Sequence, residues 1–258
     1  MLIGLSQQIS KIFNPSLSLP SNHPIILTES AHNLGFMIDS SLTFLNRFHL
    51  YPVIVTIIST TFATSSTLLT SKQHLLSATS LVHSKLNYCN SLYLNLPQKQ
   101  IPRLQLLQNS LARTVAGTPK TEHITPVLKS LHWLKIEERI HYKITSLTYN
   151  FLQTSQPQYL RKLINIKPAG STRSSNHLTL LGPSTSYLNI SNHSYNQTAP
   201  ILWINLPKSM RTFSNILNNS AITSQCFSLP LSLSKTQFRS HLKPYLLASH
   251  THLNLLSC

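Results

Sequence analysis

The stretch IEERIHYKITSLTYNF, residues 136–151, decides the fold of this chain. Its apolar side chains recur every three or four residues, the spacing that aligns them on one face of an α-helix. A helix with such a stripe is stable only when the stripe packs against neighbouring elements. The stretch therefore predicts a helical core built on Ile136, Ile140, Ile144, Leu147 and Phe151.

Two longer helices are predicted before this stretch. The first begins near Lys72, is closed by Pro97, and carries on one face Leu75, Ala78, Val82, Leu86, Cys89 and Tyr93. The second tolerates Pro102 in its first turn and stops at Gly117, and its stripe is Ile101, Leu104, Leu107, Leu111 and Val115. Both stripes match the helical period and can cover the central helix.

Shorter helices are predicted on either side of residues 136–151. Thr125 can cap a helix that starts at Pro126 and runs to Leu131, because proline at the first position loses no hydrogen bond. Pro157 opens one more turn, which contains Tyr159, Leu160 and Leu163. A final helix over 234–247 buries Phe238, Leu242 and Leu246, and Pro244 should kink or shorten it.

The remaining sequence shows little helical period. Residues 33–39 form a short apolar run with Gly35, which predicts a strand or hairpin. Residues 167–209 are rich in Ser, Asn and Pro, and their apolar pieces at 178–181 and 201–206 suit edge strands or turns. The expected fold is therefore mainly α, a small helical bundle with a short β-hairpin upstream and irregular, poorly ordered flanks.

The expected organisation has five segments. They are an irregular leader at 1–30, a hairpin with a disturbed segment at 31–71, the helical core at 72–165, a partly disordered region with short strands at 166–230, and a C-terminal helix and tail at 231–258. The N-terminus has no signal-peptide pattern, and the widely spaced Cys89, Cys226 and Cys258 fit a reducing compartment. An intracellular location is expected, in cytoplasm or nucleus.

Residues 50–70 carry no charged side chain, which raises the question of a membrane span. Many of them are Ser or Thr, Pro52 lies near one end, and the strongly apolar part is short. A buried strand or a loop is favoured over a span, and a membrane partner is not expected.

Charge is the most unusual property of the composition. The chain has 21 Lys and Arg against 5 Asp and Glu, a formal net charge of +16. Such an excess favours polyanion partners, and RNA or an RNA/DNA duplex bound without sequence preference is expected. The alternative is that a decayed reading frame drifted in composition and the charge serves nothing.

Two basic stripes give the charge a pattern. Lys135, Arg139 and Lys143 recur at four-residue intervals on one helix, and Lys235, Arg239 and Lys243 do so on another. Either stripe can follow a phosphate backbone, or it can be a solvated helix face, an alternative that nearby Glu138 strengthens for the first stripe. Further candidate contacts on the central helices are Arg103, Arg113, Lys120 and Lys129.

Catalytic chemistry is not expected. Two-metal enzymes need several converging carboxylates, whereas this chain has one aspartate, Asp39, and two adjacent glutamates, Glu137 and Glu138, that point about 100° apart on a helix. His250, His252 and Cys258 match no usual metal-ligand spacing, and neither a nucleophile elbow nor a phosphate-binding glycine loop occurs. No metal, cofactor or small-molecule substrate is predicted.

Several long words in fixed order resemble one family. They are LVHSKLNYCNSL at 81–92, RLQLLQNS at 103–110, HITPVLKSLHWL at 123–134 and TQFRSHLK at 236–243, with shorter words at 34–40 and 199–207. Together they resemble the C-terminal part of reverse transcriptases encoded by vertebrate non-LTR (LINE-type) retrotransposons. The resemblance covers roughly residues 31–48, 77–213 and 232–249.

The resemblance implies a thumb-like helical region that grips template RNA and primer DNA behind the polymerase palm. The family's paired aspartates and its endonuclease domain have no counterpart here, so no catalytic residue carries over. Asn87 stands where relatives usually have an aspartate, and residues 50–71 and 214–230 depart from the pattern as a frameshift would. The chain is thus expected to be a non-catalytic, damaged remnant that binds nucleic acid; an inert product, or more weakly a membrane-associated protein, is the alternative.

Overall fold

A computed structural model describes residues 11, 28–33, 36–39, 56, 71–94, 100–167, 177–182, 194–212 and 231–248. Within these ranges the chain is mainly helical, and a short antiparallel hairpin precedes the helices, so the expected fold class is confirmed. The chain divides into two compact units, residues 1–85 and 86–258, which are described separately.

The first unit contains the predicted hairpin. Strands β1 (Ser30–Asn33) and β2 (Phe36–Asp39) pair antiparallel, so that Ser30 lies opposite Asp39 and Asn33 opposite Phe36. The first helix, α1 (Ser71–Asn87), also begins in this unit. It starts one residue before the predicted Lys72.

The prediction that Pro97 closes this helix is wrong, because α1 ends at Asn87. Cys89 adopts a left-handed conformation with φ 53°, which an α-helix cannot continue through. A short 3-10 helix, Asn90–Tyr93, follows and buries Tyr93. The predicted apolar stripe from Leu75 to Tyr93 therefore spans two elements, α1 and the 3-10 helix that follows it.

Helix α2 (Gln100–Ala116) has the predicted bounds and buries Leu104 and Leu111. It ends because Gly117 takes φ 65° and the N–H of Thr118 donates to the carbonyl of Arg113 at 3.1 Å, which closes a Schellman motif. The predicted glycine stop is confirmed.

Helix α3 (Ile124–Ser130) begins two residues earlier than predicted, with His123 rather than Thr125 at the N-cap. Pro126 therefore occupies the third helical position, where its missing N–H still costs no intrahelical bond. The start is set by packing, since Val127 and Leu128 are buried with Ala112 of α2.

Helix α4 (Ile136–Thr154) confirms the central prediction. Ile136, Ile140, Ile144 and Phe151 are buried, and Leu147 is half-buried. Burial also extends around the helix to Thr145, Ser146, Thr148, Tyr149 and Leu152. It is a central element enclosed on several sides, and ends where Ser155 takes φ 55°.

Short elements follow α4. The predicted turn after Pro157 is a 3-10 helix, Gln158–Lys162. Strands β3 (Asn165–Ile166) and β4 (Leu180–Leu181) then pair antiparallel. A further 3-10 helix spans Lys208–Met210. An isolated antiparallel β-bridge pairs His177 with Thr212.

The expectation of edge strands or turns at 201–206 is wrong, because most of that piece belongs to helix α5 (Tyr195–Ile204). Its β-branched residues and internal Pro200 disfavour a helix locally. Ala199 and Trp203, four residues apart, are nevertheless both buried, and that packing outweighs the local preference.

The last helix, α6 (Lys235–Ala248), buries Phe238, Leu242 and Leu246 as predicted. Of the two predicted effects of Pro244, the shortening does not occur, because the helix continues past the proline to Ala248. The buried Leu246 beyond the proline supplies the packing that retains the last turn.

The larger apolar cluster of the second unit draws on α4, the two 3-10 helices that follow it, β4, α5 and α6, so the C-terminal helix shares a core with α4. Its most enclosed members, each 2% exposed or less, are Tyr149, Leu152, Leu178, Leu180, Trp203, Phe238 and Leu242.

None of the helices in the described ranges is long and apolar enough to cross a membrane. Of the uncharged residues 50–70 only Thr56 lies within those ranges. Most of the leader, residues 214–230, and the C-terminal His250, His252 and Cys258 lie outside the described residues.

Candidate nucleic-acid interface

The basic stripe on α6 is fully presented to solvent. Lys235, Arg239 and Lys243 are all exposed, and they flank the buried stripe of Phe238, Leu242 and Leu246 on the same helix. Four-residue spacing places successive cations about 6 Å apart along the helix axis. The stripe is therefore a row of three in-line positive charges on one surface.

A reciprocal cap fixes the start of α6. The N–H of Gln237 donates to Ser234 Oγ at 3.2 Å, and the N–H of Ser234 donates to Gln237 Oε1 at 2.9 Å. This pair of bonds is a capping box with glutamine at the third position. The helix that carries the stripe thus has a defined first residue.

Aromatic packing fixes the orientation of α6. The ring of Phe238 stacks on Tyr149 with centroids 3.8 Å apart, and Trp203 lies 6.3 Å away on centroids. Tyr149 donates its hydroxyl to the carbonyl of Leu233, one residue before the cap. The Tyr245 hydroxyl donates to Asn205 O at 2.9 Å, which ties the far end of α6 to α5.

Nothing near α6 in the sequence neutralises its charge. No aspartate or glutamate follows Glu138 anywhere in the chain. Among the described residues, Lys235, Arg239 and Lys243 form no hydrogen bond or ion pair. Their positive charges are therefore available to an external anion.

The other predicted stripe has a different structure. Only Lys143 is exposed, whereas Lys135 and Arg139 are half-buried. Arg139 donates from Nε to Leu134 O at 2.9 Å and from a terminal nitrogen to Asn87 Oδ1 at 3.1 Å. Its guanidinium holds the start of α4 against the residue that ends α1.

Burial explains the electrostatics of Arg139 and Glu138. Burial lowers the pKa of Arg139 to about 10, and the adjacent Glu138 carboxylate opposes that change. Burial raises the pKa of Glu138 to about 7, opposed by a hydrogen bond from the Lys135 N–H at 2.9 Å and then by the Lys135 ammonium. Arg139 remains charged at neutral pH and contributes to the fold.

Glu138 is not part of a solvated face, as the sequence suggested, because only 5% of it is exposed. It accepts the N–H of the residue that precedes α4 and so provides the carboxylate half of a capping box. Its position three residues after the cap was the available signal. The capping box was not recognisable from the sequence, because the residue at the N-cap is a lysine, whose side chain has no hydrogen-bond acceptor.

The remaining predicted contacts lie on α2, α3 and the loop between them. Arg103, Lys120 and Lys129 are exposed. Arg113 is half-buried and donates to Glu122 O at 3.0 Å, which fastens the loop to the end of α2. These cations form a second basic surface without the regular spacing of α6.

The described residues contain no group of three His, Cys, Asp or Glu side chains arranged to hold a metal ion. Cys89 is a free, half-buried thiol. No family model, curated protein or solved structure matches the chain.

Proposed function

We propose that this chain binds RNA or DNA through the phosphate backbone, without sequence preference and without catalysis. The observation that carries the proposal is the exposed row Lys235, Arg239 and Lys243 on α6, a helix that is held in place by its buried apolar side chains. Three in-line cations that have no hydrogen bond or ion pair within the described part of the chain suit successive phosphates of one strand.

The total charge supports the same proposal. A net charge of +16 attracts a polyanion over a range limited by salt screening. Sequence preference requires side chains that are positioned to reach base edges, and the sequence contains no recognisable base-reading motif. Affinity without sequence preference is the consequence.

We further propose that the chain descends from the thumb-like region of a non-LTR retrotransposon reverse transcriptase. The words RLQLLQNS and TQFRSHLK support this origin, and the second of them contains two cations of the α6 stripe. In the intact enzyme such a region would face the RNA/DNA duplex.

The experiment is a salt titration of the full chain with an RNA/DNA duplex. The triple variant Lys235→Gln, Arg239→Gln and Lys243→Gln should flatten the slope of log K against log salt by about 2 to 3, since each duplex phosphate contact contributes about 0.9. Primer extension with Mg²⁺ should stay at background in wild type.

A matched control removes the same charge elsewhere, with Arg103→Gln, Lys120→Gln and Lys129→Gln. This variant should change the slope by less than about 1, the contribution of a single contact. Equal effects of the two triple variants would show that binding depends on the total charge of the chain and not on the α6 stripe. Absence of salt-dependent binding in wild type would leave the chain an inert product of a decayed element.

A further inference from the structure

Tyr159 is the most exposed large aromatic or aliphatic side chain in the described ranges, with 68% of its surface open to solvent. It lies on the 3-10 helix Gln158–Lys162 and is not part of the apolar cluster. A ring left open in this way offers a flat apolar face to a ligand.

The backbone beneath the ring is held firmly. Leu160, within the 3-10 helix, and Ile164, just after it, are 3% and 6% exposed and belong to the core. The N–H of Leu160 donates to Pro157 O, and the N–H of Ile164 donates to Leu160 O, both at 3.2 Å. The position of Tyr159 is thus fixed before any ligand arrives, which lowers the entropy lost on binding.

A lysine accompanies the ring. In a 3-10 helix, side chains three residues apart eclipse each other, so Lys162 lies on the same side as Tyr159. Lys162 is exposed, and no carboxylate follows Glu138 in the sequence to pair with it. A ring face and a free cation therefore share one surface.

A second tyrosine borders this surface. The Tyr195 hydroxyl is 2.8 Å from Thr148 Oγ1, which fixes it on α4. Burial raises the pKa of Tyr195 to about 12, the hydrogen bond with Thr148 opposes that rise, and the Tyr159 phenol adds to it. Tyr195 is half-buried and supports one side of the site.

We infer that Tyr159 and Lys162 form a stacking site for an unpaired base of a single-stranded nucleic acid. The ring stacks on the base and the Lys162 ammonium contacts its phosphate, the combination that single-strand binding proteins use. A duplex cannot use the ring face, because its bases already stack on one another and expose only their edges. The inference rests on the proposed function and adds a preference for single strands.

The test compares Tyr159→Ala with Tyr159→Phe in the full chain, using a labelled oligothymidylate and a blunt duplex of equal length. Loss of the ring should weaken single-strand binding about 5- to 150-fold, while phenylalanine should stay within about twofold. Duplex affinity and the salt slope should not change, since no charge is removed. Lys162→Gln should lower the single-strand slope by about 0.7.

Leu106→Ala is the matched control, because Leu106 is 64% exposed on α2 and its loss should leave both affinities unchanged. Circular dichroism melting of each variant checks that folding is retained. A 2-aminopurine base in the single strand should be quenched on binding by wild type and Tyr159→Phe, and not by Tyr159→Ala.

Three outcomes would overturn the inference: no effect of Tyr159→Ala on single strands, an equal loss for duplex and single strand, or a loss of self-association in sedimentation with oligonucleotide binding unchanged. The third would make the ring a protein contact. If the α6 triple variant weakens duplex binding while Tyr159→Ala changes nothing, the proposed function stands and this site alone fails.

Discussion

The guanidinium Nε of Arg139 donates a hydrogen bond of 2.9 Å to the carbonyl oxygen of Leu134, five residues earlier. That carbonyl also accepts Gln108 Nε2 at 2.8 Å, so α2 and the start of α4 meet at one oxygen atom. Arg139 thus belongs to a shared polar junction. Arg139, which the sequence predicts to contact phosphate, thus takes part in the junction between α2 and the start of α4.

The first prediction separates that role from binding. Arg139→Gln should lower the free energy of unfolding by about 1 to 3 kcal/mol, because it removes the charge-assisted hydrogen bonds to the Leu134 carbonyl and to Asn87 Oδ1. Lys143→Gln, with the same charge change at an exposed position, should stay within about 0.5 kcal/mol of wild type. Urea denaturation measures both. Equal stability of the two variants would show that the junction contributes nothing.

The second prediction concerns the central stripe. Ile140 and Ile144 are 1% and 2% exposed, so truncation of either to alanine should cost about 2 to 5 kcal/mol through lost burial and a residual cavity. Lys143→Ala, between them on the exposed side, is the control. Thermal melting that is unchanged in Ile140→Ala would contradict the packing of α4.

The third prediction is a pH dependence. The pKa of Glu138 is raised to about 7 in the folded chain from 4.5, so the folded state holds this proton more tightly than the unfolded state does. The resulting contribution to stability is complete below about pH 4.5 and is lost as pH rises to about 7, amounting to at most about 3 kcal/mol. Glu138→Gln should remove it.

Glu137→Gln is the control at the adjacent exposed position, and it should keep most of the pH dependence, because burial is the main cause of the raised pKa of Glu138 and the Glu137 carboxylate adds less to it. His141 has an opposite influence, since burial lowers its pKa, and it is present in both variants. Denaturant midpoints between pH 4.5 and 7.5 provide the measurement. Parallel pH profiles for Glu138→Gln and wild type would refute the assignment.

The fourth prediction tests how α6 is held. Tyr149→Phe keeps the ring that stacks on Phe238 and removes the hydroxyl that bonds Leu233 O. Stability should fall by about 0.5 to 1.5 kcal/mol. Amide exchange at the start of α6 should accelerate more than exchange in α2. Uniform acceleration across both helices would mean that the bond has no local effect on α6.

The helical period predicted the elements whose cores are formed by apolar stripes. Ile140 and Ile144 of α4 and Phe238 of α6 occupy the positions that a 3.6-residue repeat requires, and all three are buried. The sequence pattern does not predict helix α5, because Pro200 and the β-branched residues disfavour a helix. The helix is stabilised by the burial of Trp203 among residues that are distant in the sequence. Periodicity carries no information about such partners.

The candidate interface was only partly predictable for a related reason. Spacing alone does not distinguish the row on α6 from the row on α4, because both repeat every four residues. The difference lies in what encloses each helix: α4 is surrounded, so Arg139 is drawn into hydrogen bonds, while one side of α6 is open. Tyr159 gave no signal at all, since exposure of a ring depends on the neighbouring elements.

The bond from Tyr149 to Leu233 joins residues 84 positions apart in the chain. During synthesis at about 5 to 20 residues per second, the ribosome needs roughly 4 to 17 seconds to make the segment between them. Throughout that interval the aromatic face of α4 lacks the cover of Phe238 and helix α6, and it is a target for chaperones and for aggregation. A premature stop before Phe238 would make that exposure permanent, so cells should degrade C-terminally shortened chains fastest.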